Sequence, residues 1–336
     1  MRSSQIFILV FLIFTAFKIS ADYRIEIIDI NNQKIHLTHW TDRGINPDTN
    51  LNTLESTSTI VLLSGPTDNW NSDSAWFARL APKLAKTNRV ISIDRAGQVL
   101  ANQNAKVGYT QFGNDLNDIF KHLNLKNIKI ISFASANLAL NQYFSVQTDR
   151  VVESVIMIDP DVLLPTSIAR YTKDALPFKE NLEKYALYIS SGKYDRRALQ
   201  KNQMEMTHLK KLSVDDKDTD WEYIDKIFSK RLNKENLKNL FREIAIYDQD
   251  LNNAFRQGFP KNIPLTIIDT NFEQVSIDKA ESAKAKKDLL DWKQEAHQYY
   301  NQLTKHSDRN QYIHLAVTEH LIPFSQPELL IDILSK

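Results

Sequence analysis

A serine lies where an apolar stretch of the chain gives way to small, helix-forming residues. The apolar stretch spans residues 128–133, Ser135 follows it, and Ala136 begins a run of small and apolar residues. A serine hydroxyl on a sharp strand-to-helix turn attacks carbonyl carbons when a histidine accepts its proton and a carboxylate orients that histidine. The stretch therefore suggests acyl transfer through a covalent serine intermediate. A serine at such a place is also a common turn residue, so the rest of the chain has to decide.

Apolar strands alternating with amphipathic helices surround this serine. A first pair of polar–apolar alternations, around Asn31 and Asn32, predicts an antiparallel hairpin. Most of the later apolar runs are followed by a segment in which apolar residues recur at helical spacing, as in Phe112, Leu116 and Leu123. Short apolar runs that predict buried strands lie at residues 59–63, 90–93, 128–133, 155–158, 265–268 and 312–317. The pattern predicts an α/β fold with a mostly parallel central sheet flanked by helices on both faces.

The alternation stops between about residue 163 and residue 259, where the sequence is charged and helical in pattern. We interpret this segment as a helical cap inserted between strands of the sheet. The predicted organisation is a signal peptide at 1–21, the first part of the core at 22–160, the cap at 161–262 and the second part of the core at 263–336. Candidate cap residues that line a cleft, with ordinary packing as the alternative, are Tyr171, Phe178, Tyr185, Trp221 and Phe228.

The N-terminal residues have the pattern of a secretory signal peptide. Arg2 precedes an apolar run at residues 6–17, and Lys18 and the small residue Ala21 follow it. The run is shorter than the stretch of about 20 residues that spans a membrane. We therefore expect export to the periplasm or the medium, and no stable membrane span after cleavage; an uncleaved short anchor is the alternative.

Composition excludes several classes of function. The chain has 336 residues and a net charge of +1, which loss of Arg2 and Lys18 changes to −1, so nothing suggests a nucleic-acid surface. It contains no cysteine, which excludes disulfides, thiol catalysis and thiolate metal sites. We expect no metal and no organic cofactor, and the sequence does not indicate an oligomeric state.

Several short segments, taken together and in order, resemble the α/β-hydrolase fold family. Asp94-Arg-Ala-Gly97 looks like the Asp-x-x-Gly turn found after a strand in many esterase-like members. His320, followed by Pro327 and Glu328, is similar to the segment that carries the catalytic histidine after the last strand. The matching segments in chain order are Leu63 to Pro66, Trp76, Asp94 to Gly97, Ser135, and Thr318 to Pro327. The resemblance covers most of the chain outside the signal peptide and the cap.

The resemblance implies a Ser-His-Asp triad. Ser135 would be the nucleophile and His320 the general base and then acid. The orienting acid has two candidates: Asp159, which follows the strand before the cap, and Asp269, which follows the next strand. The Gly-x-x-Asp pattern that usually marks the later position is missing after Ile268, so Asp159 is narrowly favoured.

Two departures from the family pattern concern the elbow and the oxyanion hole. The glycines that flank the nucleophile in Gly-x-Ser-x-Gly are replaced here by Phe133 and Asn137. Ala136 would supply one oxyanion N–H, but the second would come from the residue after Gly65, which is a proline without an N–H. Thr67 is the candidate substitute for that donor.

The sequence therefore predicts an exported serine hydrolase that cleaves a carboxylic ester or related acyl bond of a small-molecule substrate. The alternative, which the altered elbow keeps open, is a catalytically impaired hydrolase-fold protein that binds a ligand or partner through its cap cleft.

Overall fold

The structure is a computed structural model that describes residues 23–41, 58–67, 70–214, 216 and 219–335. The predicted signal peptide lies outside the described residues. Eight strands are present in the described part of the chain: β1 Tyr23–Ile30, β2 Gln33–Trp40, β3 Thr59–Leu63, β4 Arg89–Asp94, β5 Ile128–Phe133, β6 Val152–Ile158, β7 Leu265–Asp269 and β8 Gln311–His314.

All eight strands form one sheet in the order β1-β2-β4-β3-β5-β6-β7-β8. β1, β2 and β4 pair antiparallel, whereas β4 to β8 run parallel through five successive pairings. The hairpin between β1 and β2 turns at Asn31 and Asn32, whose φ values of 53° and 61° suit the left-handed turn that joins twisted strands. The predicted hairpin and the mostly parallel sheet are both confirmed.

Helices cover both faces of the sheet. They are α1 Ala81–Leu84, α2 Tyr109–His122, α3 Ala136–Val146, α4 Pro165–Glu180, α5 Leu182–Ser190, α6 Asp195–Leu212, α7 Trp221–Arg231, α8 Lys234–Ala245, α9 Tyr247–Gln257, α10 Glu273–Asp278, α11 Ala283–Thr304, α12 Ile322–Ser325 and α13 Pro327–Leu334. A short 3₁₀ turn, Ser74–Phe77, precedes the single turn α1. Six helices, α4 to α9, lie between β6 and β7, in the segment predicted to form the cap.

Side chains alternate across the sheet because successive strand residues point to opposite faces. In β3 all five residues are buried, with Val61 and Leu63 in one apolar cluster and Ile60 and Leu62 in the other. The first cluster contains apolar residues of α2, α3 and α9, and the second contains Trp76, Phe324 and residues of α7. A fully buried strand of this kind requires helices on both sides.

Two buried arginines fasten the cap helices to the loops of the sheet, and we call these contacts the cap clamp. Arg95, in the turn after β4, forms a bidentate pair with Glu243 of α8, with its Nη2 atom 2.7 Å from Oε1. Arg231 of α7 binds Asp73, with its Nε atom 2.6 Å from Oδ2, and also contacts Glu205 of α6. The clamp consists of Arg95, Glu243, Arg231, Asp73 and Glu205.

None of the helices in the described part of the chain is long and apolar enough to cross a bilayer.

Candidate active site

The sharp bend between β5 and α3 is made by Ala134. Its φ is +48°, a left-handed conformation that costs an L-residue about 1–2 kcal/mol and that occurs where the surrounding structure imposes it. Its N–H donates to the carbonyl of Ile158 at 2.9 Å, which fixes the bend against the end of β6. In a nucleophile elbow the strained residue at this turn is the one that carries the attacking atom. Here that residue ends in a methyl group.

Ser135, the predicted nucleophile, lies one residue beyond the bend. Its φ of −58° is helical, and it is the residue that precedes the first turn of α3. The sequence interpretation counted the elbow around Ser135 and found bulky Phe133 and polar Asn137 in the places of the glycines. Counted around Ala134, those places hold the small residues Ser132 and Ala136. Small side chains therefore flank the bend residue on both sides, although neither of them is a glycine.

Counting from Ala134 also changes which backbone N–H group would contribute to the oxyanion hole. The N–H that follows the bend residue belongs to Ser135 and not to Ala136. Gly65 packs directly against this backbone, since a Cβ atom built on it would lie 2.4 Å from the carbonyl oxygen of Phe133 and 2.5 Å from the nitrogen of Ser135. The N–H of Thr67, the predicted substitute for Pro66, donates to the carbonyl of Asn71 at 3.3 Å within a tight turn.

His320 follows β8 and lies between two phenylalanine rings. Its ring stacks on Phe272 at a centroid distance of 4.3 Å and contacts Phe133 at 4.8 Å. Its Nε2 atom is 3.7 Å from Oδ2 of Asp159. Asp159 is itself held by Thr270, whose N–H and hydroxyl donate to the carboxylate at 2.6 and 2.8 Å. The structure thus brings His320 together with the favoured acid candidate.

The alternative acid, Asp269, has other partners. Tyr312 donates its hydroxyl to Oδ2 of Asp269 at 2.6 Å, and Nδ1 of His314 lies 3.0 Å from the same oxygen. Nε2 of His297 is 3.2 Å away. Asp159 and Asp269, at the ends of the neighbouring strands β6 and β7, therefore contact different histidines.

A cavity of about 370 Å³ lies beneath the cap, over the ends of β5 and β6. It brings Ala134, Ser135, Asp159 and His320 together, whereas Asp269 does not line it. Its remaining lining is contributed by Pro66, Thr67, Trp70, Pro160, Asp161, Val162, Tyr171, Asp174, Tyr247, Phe272, Glu273, Trp292, Ala296 and Tyr300. Of the predicted cap residues, Tyr171 is the one found in this lining; Phe178 and Tyr185 pack with Phe241, Trp221 contacts Phe324, and Phe228 packs against Trp76.

The hydroxyl of Ser135 belongs to a hydrogen-bonded chain that the sequence analysis missed. Oγ of Ser135 is 2.6 Å from the hydroxyl of Tyr247, the first residue of α9, and this tyrosine donates to Oδ2 of Asp161. Asn137 holds Asp161 in place, because its amide donates to the Asp161 carbonyl and accepts the Asp161 N–H. The string Asp159-Pro160-Asp161 was a signal for a second carboxylate, but nothing in it indicates a tyrosine from the cap.

Burial raises the pKa values of three carboxyl groups in this cavity. The pKa of Asp161 rises to about 6, because burial outweighs the opposing hydrogen bonds from Tyr247 and Ser135. Burial raises the pKa of Glu273 to about 7 and that of Asp159 well above its ordinary value. Burial also raises the pKa of the Tyr247 hydroxyl, with the nearby Asp161 adding to the shift. A tyrosine in this state is a hydrogen-bond donor and a poor base for activating Ser135.

Comparison with known proteins gives the fold and little more. No family model matches the sequence, and no curated protein sequence matches it. Among solved structures, an α/β hydrolase fold protein from Burkholderia ambifaria is 11% identical with a TM-score of 0.55, covering 93% of this chain and 97% of that chain. A putative epoxide hydrolase from Pseudomonas aeruginosa is 10% identical with a TM-score of 0.60, covering 94% and 95%. The epoxide hydrolase CorEH is 13% identical with a TM-score of 0.59, covering 93% and 97%.

These similarities extend over nearly the whole length of each chain, and they agree with the strand order and the helical layers described above. The chain therefore has the α/β-hydrolase fold, as the resemblance in its sequence implied. Identities of 10 to 13% show the fold alone.

Proposed function

We propose that this α/β-hydrolase-fold chain binds a small molecule in the cavity beneath its cap without forming a covalent intermediate. The observation that carries the proposal is Ala134 at the strained bend after β5. The fold presents its attacking atom from that residue, and a methyl group has none. His320 and Asp159 both line the same cavity, so the loss concerns the nucleophile and leaves the binding space intact.

The cavity lining favours a ligand with a positive charge. Four carboxyl groups and six aromatic rings contribute to it, and neither lysine nor arginine is among its described lining residues. An organic cation gains both from the carboxylates and from the faces of aromatic rings. One cation–aromatic contact of this kind already exists next to the cavity: the guanidinium of Arg170, which does not line the cavity, lies 4.6 Å from the centre of the Trp292 ring.

A serine hydrolase that acts through Ser135 is the second candidate. It is favoured by one observation: the Ser135 hydroxyl lies in the same cavity as His320 and is connected through Tyr247 to Asp161. In this form the protein would cleave a carboxylic ester or a related acyl bond, with His320 as general base and Asp159 as the orienting acid.

Labelling with a fluorophosphonate probe separates the two candidates. We expect no labelling of the unmodified protein, and labelling of Ala134→Ser, because the hydroxyl is then on the bend residue that the fold uses for attack. The double variant Ala134→Ser/His320→Gln is the control and should lose the signal. Labelling of the unmodified protein that disappears in both Ser135→Ala and His320→Gln would instead establish the hydrolase.

Ligand charge is tested with choline and its uncharged isostere, in which carbon replaces the ammonium nitrogen. We expect choline to raise the thermal unfolding temperature, since a ligand that binds only the folded state stabilises it, and the isostere to have a smaller effect. The difference should disappear in Asp161→Asn/Glu273→Gln. Equal shifts from both compounds would contradict the preference for a cation.

The proposal includes export. Residues 1–21 would be removed as a signal peptide and leave a mature chain with a net charge of −1. N-terminal sequencing of protein recovered outside the cytoplasm tests this, and an intact start at Met1 would contradict it.

A further inference from the structure

A second cluster of ionisable side chains lies outside the cavity, at the edge of the sheet formed by β7 and β8. Asp269 ends β7, His314 ends β8, and His297 projects from α11. Oδ2 of Asp269 is 3.0 Å from Nδ1 of His314 and 3.2 Å from Nε2 of His297. One potential ligand atom from each residue lies within 4.8 Å of the other two.

The spacing of these atoms suits a small transition-metal ion. Bond lengths of about 2.0–2.1 Å to nitrogen and oxygen place neighbouring ligand atoms of a tetrahedral zinc site about 3.3 Å apart. The two measured separations from the Asp269 oxygen are close to that value. Two imidazoles and one carboxylate are also a common ligand set for zinc when one position stays open to water.

The charges and hydrogen bonds of the cluster suggest that a cation belongs in it. Asp269 is 1% exposed, and within the described ranges its ion-pair partners are histidines and no lysine or arginine. Nε2 of His297 is shielded from solvent and makes no hydrogen bond to any described residue, although Asp269 is beside it.

The cluster is accessible to solvent, and a neighbouring side chain orients one of its members. The side chains of His297 and His314 are 32% and 38% exposed, which leaves the cluster open to solvent on one side. Tyr312 donates to Oδ2 of Asp269 and would orient the carboxylate as an outer-shell partner. Lys293 of α11 donates hydrogen bonds to Asn271 and Gln274.

We propose that Asp269, His297 and His314 form a binding site for one divalent transition-metal ion of the zinc type. The ion connects β7, β8 and α11, and a water molecule completes its coordination. This site is separate from the cavity beneath the cap, and it does not depend on the function proposed for that cavity. It also revises the expectation, drawn from the sequence, that no residues in the chain hold a metal.

Titration of the metal-stripped, purified chain with zinc tests the proposal by calorimetry. We expect one zinc ion per chain, and an affinity at least about tenfold weaker in His297→Gln and in His314→Gln, because each loses a direct ligand. His306→Gln is the matched control, since His306 is exposed just beyond the end of α11 and outside the cluster, and it should bind as the unmodified protein does.

Absence of zinc binding by the unmodified protein, or unchanged affinity in folded His297→Gln and His314→Gln, would overturn the proposal. Circular dichroism establishes that each variant is folded. If the variants do not fold, a measurement on the unmodified protein still tests the site. X-ray absorption of the zinc-loaded chain should give nitrogen and oxygen neighbours at about 2.0–2.1 Å, two of them from imidazoles. A first shell without imidazole would equally exclude the site.

Discussion

Buried acids occur in two regions between the cap and the sheet, and their partners differ. In the cap clamp, Asp73, Glu205 and Glu243 each contact the guanidinium of Arg231 or Arg95. In the cavity, Asp161 and Glu273 lie among aromatic rings and hydroxyl groups, without an arginine or lysine in the described lining. The two regions use the same residue type in different ways: the acids of the clamp pair with arginines that fasten the cap, whereas the acids of the cavity are the basis for the proposed preference for a cation.

Protonation behaviour reflects this difference. Burial alone would lower the pKa of Arg95, but the Glu243 carboxylate beside it more than compensates and raises it, so this guanidinium stays charged. In the cavity burial outweighs the opposing effects, which are the hydrogen bonds to Asp161 and the charge of Lys293 near Glu273, and the pKa values of Asp161 and Glu273 rise to about 6 and about 7. The Arg95 guanidinium therefore keeps its charge in the physiological pH range, whereas the charge of the cavity changes there.

The largest expected effect comes from breaking the clamp. Arg231→Met keeps apolar volume against Phe228 but leaves Asp73 and Glu205 buried without their cation. Removal of one partner from a buried ion pair typically costs about 3–5 kcal/mol, and we expect a loss of that size in the free energy of unfolding. Urea denaturation measures it.

Arg256→Met is the matched control for this prediction, because Arg256 is exposed on α9, a cap helix that also packs on the core. It should change the free energy of unfolding by less than about 0.5 kcal/mol, as surface substitutions usually do. A similarly small effect of Arg231→Met would mean that the clamp does not hold the cap.

A smaller effect is expected from pH, and it belongs to the cavity. Because Asp161 and Glu273 have higher pKa values in the folded chain, the folded state binds more protons, and stability falls as pH rises from the unfolded values through about 6 and about 7. Water in the cavity screens these groups, so we expect a loss of about 1–2 kcal/mol for each between about pH 4 and pH 8. Urea denaturation over that pH range measures the slope.

The double variant Asp161→Asn/Glu273→Gln should flatten this dependence, because neither replacement side chain ionises. Asp174→Asn is the control, since Asp174 lines the cavity but is exposed, and the slope should remain with it. A slope that persists unchanged in the double variant would show that other groups cause it.

The smallest effect is expected from Tyr247→Phe, which removes the hydroxyl between Ser135 and Asp161. A hydrogen bond to a charged group is worth about 1.5–3 kcal/mol and one to a neutral group about 1 kcal/mol. We therefore expect a cost of about 1–2 kcal/mol near pH 8, and a lower cost near pH 5, where Asp161 is protonated. Equal costs at both pH values would contradict the role of Tyr247 as a donor to the Asp161 carboxylate.

The α/β architecture was predictable because its signals are local and repeated. Fully apolar strands separated by amphipathic helices leave few arrangements other than a parallel sheet with two helical layers. The hairpin at Asn31 and Asn32 was predictable for the same kind of reason, since both residues tolerate the left-handed turn. His320 could be selected because it directly follows a predicted strand and precedes Pro327 and Glu328.

The identity of the bend residue was not predictable from the local sequence. A serine attracts attention as a nucleophile, but whether Ala134 or Ser135 takes the positive φ depends on where β5 ends against β6 and on how closely Gly65 approaches the turn. A difference of one residue in this register decides whether the serine hydroxyl lies on the bend residue or one residue beyond it. The spacing of the small residues Ser132, Ala134 and Ala136 was the available signal.

The sequence by itself determined the alternation of strands and helices in the core, the presence of a helical segment between β6 and β7, and the presence of acids at the ends of these two strands. The tertiary structure alone decided their partners. Tyr247 reaches Ser135 from 112 residues away, and His297 and His314 meet Asp269 from another helix and strand. Hydrogen bonds, ion pairs and burial depend on side chains brought together by packing, and a linear pattern carries no information about which distant residue will arrive.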